Sequence, residues 1–74
     1  MIDEIKVFVN DIREMNGNDA VENISKDMNL RIDLGLDSMD LAILTAKIED
    51  KYNIDVFEDG IVNTVGEILT KLEK

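Results

Sequence analysis

Seventy-four residues with 8 basic against 17 acidic side chains, a net charge of −9 and 45% hydrophobic residues describe one small acidic domain, with enough Ile, Leu, Val and Met to build a core. Cysteine and histidine are both absent, which excludes disulfides, thiolate nucleophiles, Cys/His zinc sites and imidazole bases, and with them most hydrolase and metalloenzyme chemistry. A field of this sign repels nucleic-acid phosphates and anionic lipid and steers the chain toward basic protein surfaces.

No catalytic residue, no resident metal and no nucleic-acid partner is therefore expected, and protein partners rather than an enzymatic role are anticipated. The longest unbroken apolar run covers only residues 41–44, and Asp3 and Glu4 stand where a signal peptide is basic. Neither a membrane span nor a signal peptide is visible, so a cytoplasmic location is expected.

Ile2, Ile5, Phe8, Val9, Ile12 and Met15 recur at helical spacing and predict a first helix over residues 2–15, with Asp3 and Glu4 in its first turn. Asn16 and Gly17 supply the stop, since either adopts the left-handed conformation that closes a helix. Residues 18–36 carry Val21, Ile24, Met28, Leu30, Ile32, Leu34 and Leu36 without a sustained period and read as a long loop. Such a loop is tolerable only when apolar residues pin it across the helices, a task expected of Leu30 and Leu34.

A second helix is predicted from residue 37 to about residue 51, with Asp37 as N-cap and Asp40 reaching back in a variant capping box. Leu41, Leu44, Ile48 and Tyr52 share its inner side, while Met39, Ile43 and Ala46 fall opposite, with Asp50. Residues 54–57 are too short for a sheet strand and read as a connector, followed by a short helix over 58–62. Thr64 and Glu67 then form a capping box opening a last helix with Val65, Ile68, Leu69 and Leu72 inward. The expected core is Ile5, Phe8 or Val9, Ile12, Leu41, Leu44, Ile48, Ile68 and Leu72.

The acidic stretch from Asp55 to Gly60 is not a calcium loop. Counting from Asp55, the third position is Phe57 and the twelfth is Gly66, where an EF-hand needs an oxygen ligand and a glutamate.

The informative segment is Asp33-Leu34-Gly35-Leu36-Asp37-Ser38-Met39-Asp40. Gly35 permits a tight turn, Asp37 caps, and Ser38 falls in the first helical turn, where its hydroxyl is exposed and the amides favour an incoming phosphate. Here the chain resembles the acyl carrier protein family, whose Asp-Ser-Leu motif preceded by a Leu-Gly turn is matched by Leu34-Gly35-Leu36-Asp37-Ser38-Met39. The likeness covers essentially the whole chain: Ile24-Ser25 and residues 30–35 upstream, Ile48-Glu49-Asp50-Lys51-Tyr52 and Ile54 downstream, and Thr64-Val65 at the last helix.

The resemblance implies an all-α fold over residues 1–74: an acyl-carrier-like four-helix bundle with three main helices, one short helix and a long first loop. It implies 4′-phosphopantetheine attached covalently to Ser38, with Asp37 presenting that serine, and acyl intermediates carried as thioesters for fatty acid or specialised acyl and polyketide biosynthesis. The partners implied are a phosphopantetheinyl transferase and acyl-transferring, condensing or acyl-activating enzymes meeting a monomer. The docking surface is expected at Met39, Asp40, Ile43, Ala46 and Lys47, and an acyl pocket at Leu44, Ile48, Ile61 and Val62. Ile43 stands where fatty acid carriers commonly have glutamate, and Lys47 interrupts the negative face, which points toward a specialised pathway. Aminoacyl or peptidyl cargo, and a noncovalent acidic adaptor, are the alternatives.

Overall fold

Apolar side chains at helical spacing, closed off by capping residues, delimit three helices in the computed structural model, which describes residues 2–58, 60 and 62–73. Helix α1 is Ile2–Met15, α2 is Ser38–Tyr52 and α3 is Val65–Leu72. The described residues contain no strand; among them, one antiparallel bridge joins Asn29 to Thr64.

Helix α1 buries Ile5, Val9 and Ile12 against α2, whose Leu41, Leu44 and Ile48 are also buried. Phe8 packs on the edge of this core, so Val9 takes the central position, whereas Met15 is exposed although it continues the apolar spacing. Helix α1 ends at Asn16 and at Gly17, whose φ of +80° is the left-handed closure that glycine adopts without strain. Helix α2 ends on Asn53 at φ 59°, whose N–H donates to the Glu49 carbonyl at 2.7 Å. Helix α3 turns Val65, Ile68, Leu69 and Leu72 inward.

Residues 18–36 are indeed a loop of turns, and it is held to all three helices. Leu30 and Leu34 are fully buried, as the need to pin the loop requires, and Leu36 joins them. Polar contacts fix the rest. Asn10 and Val21 exchange hydrogen bonds at 3.0 and 2.8 Å, and Arg13 donates to the Asp19 carbonyl at 2.8 Å and to the Leu34 carbonyl at 2.6 Å. On the opposite side, Leu30 N–H donates to Asn63 O, Val65 N–H to Met28 O and Gly66 N–H to Lys26 O, so α3 is tied to the loop backbone.

One expectation is corrected here, and another falls partly outside the described residues. Thr64 caps α3 by accepting from Glu67 N–H at 3.2 Å, but the Glu67 carboxylate reaches Asn63 N–H at 3.4 Å rather than the cap's own amide, so the box is offset by one residue. After α2, residues 56–58 form a turn with Val56 fully buried; the short helix expected over 58–62 falls partly on Asp59 and Ile61, which lie outside the described residues.

Candidate functional site

The turn that precedes α2 is built by Asn29. Its side-chain oxygen accepts from Arg31 and Ile32 N–H, both at 2.9 Å, while its own amide donates to the Asp33 carboxylate at 2.7 Å and its carbonyl accepts from Asp33 and Leu34. This knot of local bonds replaces helical ones and directs the chain into Gly35 at φ +71°. The glycine serves the left-handed turn; a Cβ there would stand 3.4 Å from the Arg13 guanidinium, an ordinary contact beside the bond from Arg13 to the Leu34 carbonyl.

From this turn the chain enters α2 through the expected capping box. Asp37 Oδ1 accepts from Asp40 N–H at 2.8 Å and Asp40 Oδ2 accepts from Asp37 N–H at 3.1 Å. The remaining oxygen of Asp40 accepts from Asn16 Nδ2 at 3.0 Å, joining the start of α2 to the end of α1. That Asn16 bond, seconded by the Asp37 contacts, holds the Asp40 carboxyl below its ordinary pKa, against burial, which pushes it up.

Ser38 is therefore the first residue of α2, exposed, with its position set by a doubly bonded cap. Its Oγ accepts a hydrogen bond from Arg31 Nη2 at 2.5 Å. Beside it opens a cleft of about 610 Å³, lined by Leu41, Ala42, Phe57 and Val62 together with Thr45, Asp55, Asn63 and Arg31. This is within the volume range of small-molecule sites, and its lining mixes apolar surface with a few polar groups as such sites do.

The structure brings together only part of the expected site. Ser38, Asp37 and Val62 stand around the cleft or its cap, while Leu44 and Ile48 have no exposed surface, as their core assignment requires, and lie beneath the cleft rather than on its walls. Ile61 lies outside the described residues. Of the docking residues, Met39 at 73% exposure and Ala46 are at the surface. Asp40 is only 6% exposed and committed to the cap and Asn16, which corrects its assignment to a docking face. Ile43 is half-buried against the core, and Lys47 leans on Asp11 of α1 at 3.8 Å, so these two border α1 rather than the outer face; Ala42 and Glu49 are exposed there instead.

Arg31, Thr45, Asp55, Phe57 and Asn63 were not legible as site residues. Thr45, one turn beyond Leu41 on the face bordering the core, could have been found from helical position; the others come from irregular backbone that carries no period.

The chain belongs to the family described as phosphopantetheine attachment site, which it matches over residues 9–72. The cofactor of this class is covalently attached 4′-phosphopantetheine, and its carriers meet a phosphopantetheinyl transferase and acyl-handling enzymes. No curated protein and no solved structure matches the chain. The residues present fit the group: a hydroxyl open to solvent, a guanidinium already on its oxygen, and a cleft alongside. No helix among the described residues is long and apolar enough to cross a membrane.

Proposed function

We propose that the chain is an acyl carrier domain over residues 1–74 that catalyses nothing itself, with Ser38 as the attachment residue. The observation that carries this reading is the exposed Ser38 hydroxyl at the capped start of α2, at the cleft, in a chain matching the attachment family over residues 9–72. In loading, Ser38 Oγ bonds to the phosphorus that bears the pantetheine, the bond from that phosphorus to 3′-phosphoadenosine 5′-phosphate breaks, and the hydroxyl proton passes to the transferase. The arm supplies a terminal thiol for thioester carriage, chemistry that a chain without cysteine does not hold. Asp37 contributes by fixing the helix start, with its Oδ1 accepting from Asp40 N–H.

Cargo is an acyl intermediate of fatty acid or specialised biosynthesis, sheltered against Leu41, Phe57 and Val62. A second reading, aminoacyl or peptidyl cargo, is favoured by Asp55 and Asn63 on the same wall, which suit an amine or amide better than a plain alkyl chain. Met39 and Ala46 serve as docking contacts for a protein partner, with Ile43 and Lys47 at their border. The protein works as a cytoplasmic monomer.

Intact mass after incubation with coenzyme A and a broad-specificity phosphopantetheinyl transferase tests the reading. Wild type should gain one phosphopantetheinyl group and Ser38→Ala none, with unchanged helical circular dichroism. No gain by wild type would support the noncovalent adaptor; a gain by the variant would move the site. Mass spectrometry of the natively purified, loaded protein identifies the cargo.

A further inference from the structure

The charge around Ser38 is unusual for this chain. In a protein of net charge −9, Arg31 makes no ion pair among the described residues; its Nη2 ends instead on the neutral Ser38 hydroxyl at 2.5 Å. It is also the one cation among the described residues lining the cleft. The Asn29 side chain fixes the backbone of Arg31 through its N–H, so the guanidinium extends from an ordered turn. Seventeen acidic residues offer alternatives to a hydroxyl, and a cation is better placed against an anion.

We infer that Arg31 is the counter-ion of the phosphodiester that forms on Ser38, holding the root of the arm beside the cleft. This rests on Ser38 being the attachment residue. Once Oγ becomes an ester oxygen it is a poorer acceptor, and the anionic non-bridging oxygens next to it are within the reach of the same planar fork, which suits them bidentately. Arg31 is thereby a positioning residue: it loses a hydroxyl contact and gains a charged one at the moment of modification, and the arm is biased along the wall formed by Leu41, Phe57 and Val62.

The test compares apo and holo forms of wild type, Arg31→Gln and Arg31→Lys, with intact mass confirming one arm on Ser38 in each holo sample. In wild type, exchange of the Arg31 Nε proton should slow about 2- to 5-fold from apo to holo at low salt, the equilibrium factor of an exposed ion pair, and the gain should fade at high salt. The phosphorus-31 resonance of the arm should move in Arg31→Gln, with Arg31→Lys between the two. The holo-minus-apo change in melting temperature should be about 1 to 5 °C more favourable in wild type than in Arg31→Gln. A phosphorus resonance identical in all three proteins, with Arg31 exchange unchanged on loading, overturns the inference while leaving the carrier function intact. Absence of any mass gain on Ser38 in wild type overturns the attachment reading itself. If Arg31→Gln resists loading or melts early in its apo form, the wild-type exchange and its salt dependence decide alone.

Discussion

Asp40 is the residue whose role the structure changes most, and its replacement by asparagine separates a structural from a docking function. The wild-type carboxylate accepts from Asn16 Nδ2 at 3.0 Å and from Asp37 N–H at 3.1 Å while 6% exposed. Asparagine keeps one acceptor and turns an NH₂ toward one of the two donors, so one bond is lost and a donor is left facing a donor. At about 1 to 2 kcal/mol for a lost bond to a charged, poorly solvated group, Asp40→Asn should lower the melting temperature by about 4 to 16 °C in a domain of this size. A double-mutant cycle with Asn16→Ala should return a coupling of about 0.5 to 1.5 kcal/mol. The pH dependence has a fixed sign: the folded pKa of Asp40 is lowered, so its contribution is present above the unfolded carboxyl value near about 3.9 and is lost as pH falls through the folded one. Thermal melts followed by circular dichroism should show a gap between wild type and variant that is constant from neutral pH down to about pH 5 and closes below about pH 4. Equal melting temperatures at neutral pH, combined with slower loading by the transferase, would refute this reasoning and return Asp40 to the docking face.

Four further outcomes follow from the same contacts. Leu34→Ala, at a fully buried loop position, should cost about 2 to 5 kcal/mol, seen as a lower urea midpoint at unchanged slope; a cost under about 1 kcal/mol would mean that the loop is not held there. Gly66→Ala sets a helix-propensity gain of about 1 kcal/mol against a Cβ 3.1 Å from Lys26 O and 3.3 Å from Lys26 Cβ, and net destabilisation is expected; a more stable variant would show the loop yielding to the methyl group. Burial, with help from Glu4, whose carboxylate accepts from the phenol at 2.5 Å, pushes the Tyr52 phenol up to about 12, so its stabilising effect is complete below about pH 10 and lost as pH rises through about 12. Ultraviolet titration should place the Tyr52 midpoint near that value and lower it in Glu4→Gln. Salt should raise the melting temperature by screening a net −9, and a flat or falling titration at neutral pH would count against self-repulsion.

Elements governed by local rules were the legible ones. The bounds of α1, the Asp37 cap, the Asp40 return bond, the Asn16 and Gly17 stop and the inward sets of all three helices follow from spacing and capping chemistry within a few residues. The inward position of Asp40 was within reach of the same reasoning, because a carboxylate spent on a cap is poorly placed to serve a partner. The rest depends on tertiary placement. Arg31 lies seven residues before Ser38 across irregular turns, and nothing periodic relates them. Leu44 and Ile48 were placed correctly on the inner side of α2, but helical angle distinguishes inner from outer faces and not cleft wall from core floor, so the wall residue Thr45 was missed.

The two walls of the cleft differ in how they are held, and this bears on carriage. Leu41, Ala42 and Thr45 belong to a helix fixed by a capping box at one end and a left-handed Asn53 at the other. The facing wall, Asp55, Phe57, Val62 and Asn63, is irregular backbone between α2 and α3. Among the described residues its internal hydrogen bonds are Phe57 N–H to the Asp55 carboxylate, Glu58 N–H to Asp55 O and Gly60 N–H to Phe57 O, and its apolar anchors are the buried Val56 and Val62. Irregular backbone opens at lower free energy than a capped helix. An attachment serine must stay where a transferase can find it, whereas a cargo wall must yield to chains of different length. On the proposed reading, Ser38 stands on the capped helix and the irregular wall opposite receives the cargo, which meets both needs. Adaptation to a new cargo is therefore expected at Asp55, Phe57, Val62 and Asn63, with the helix start at Asp37 and Ser38 left unchanged.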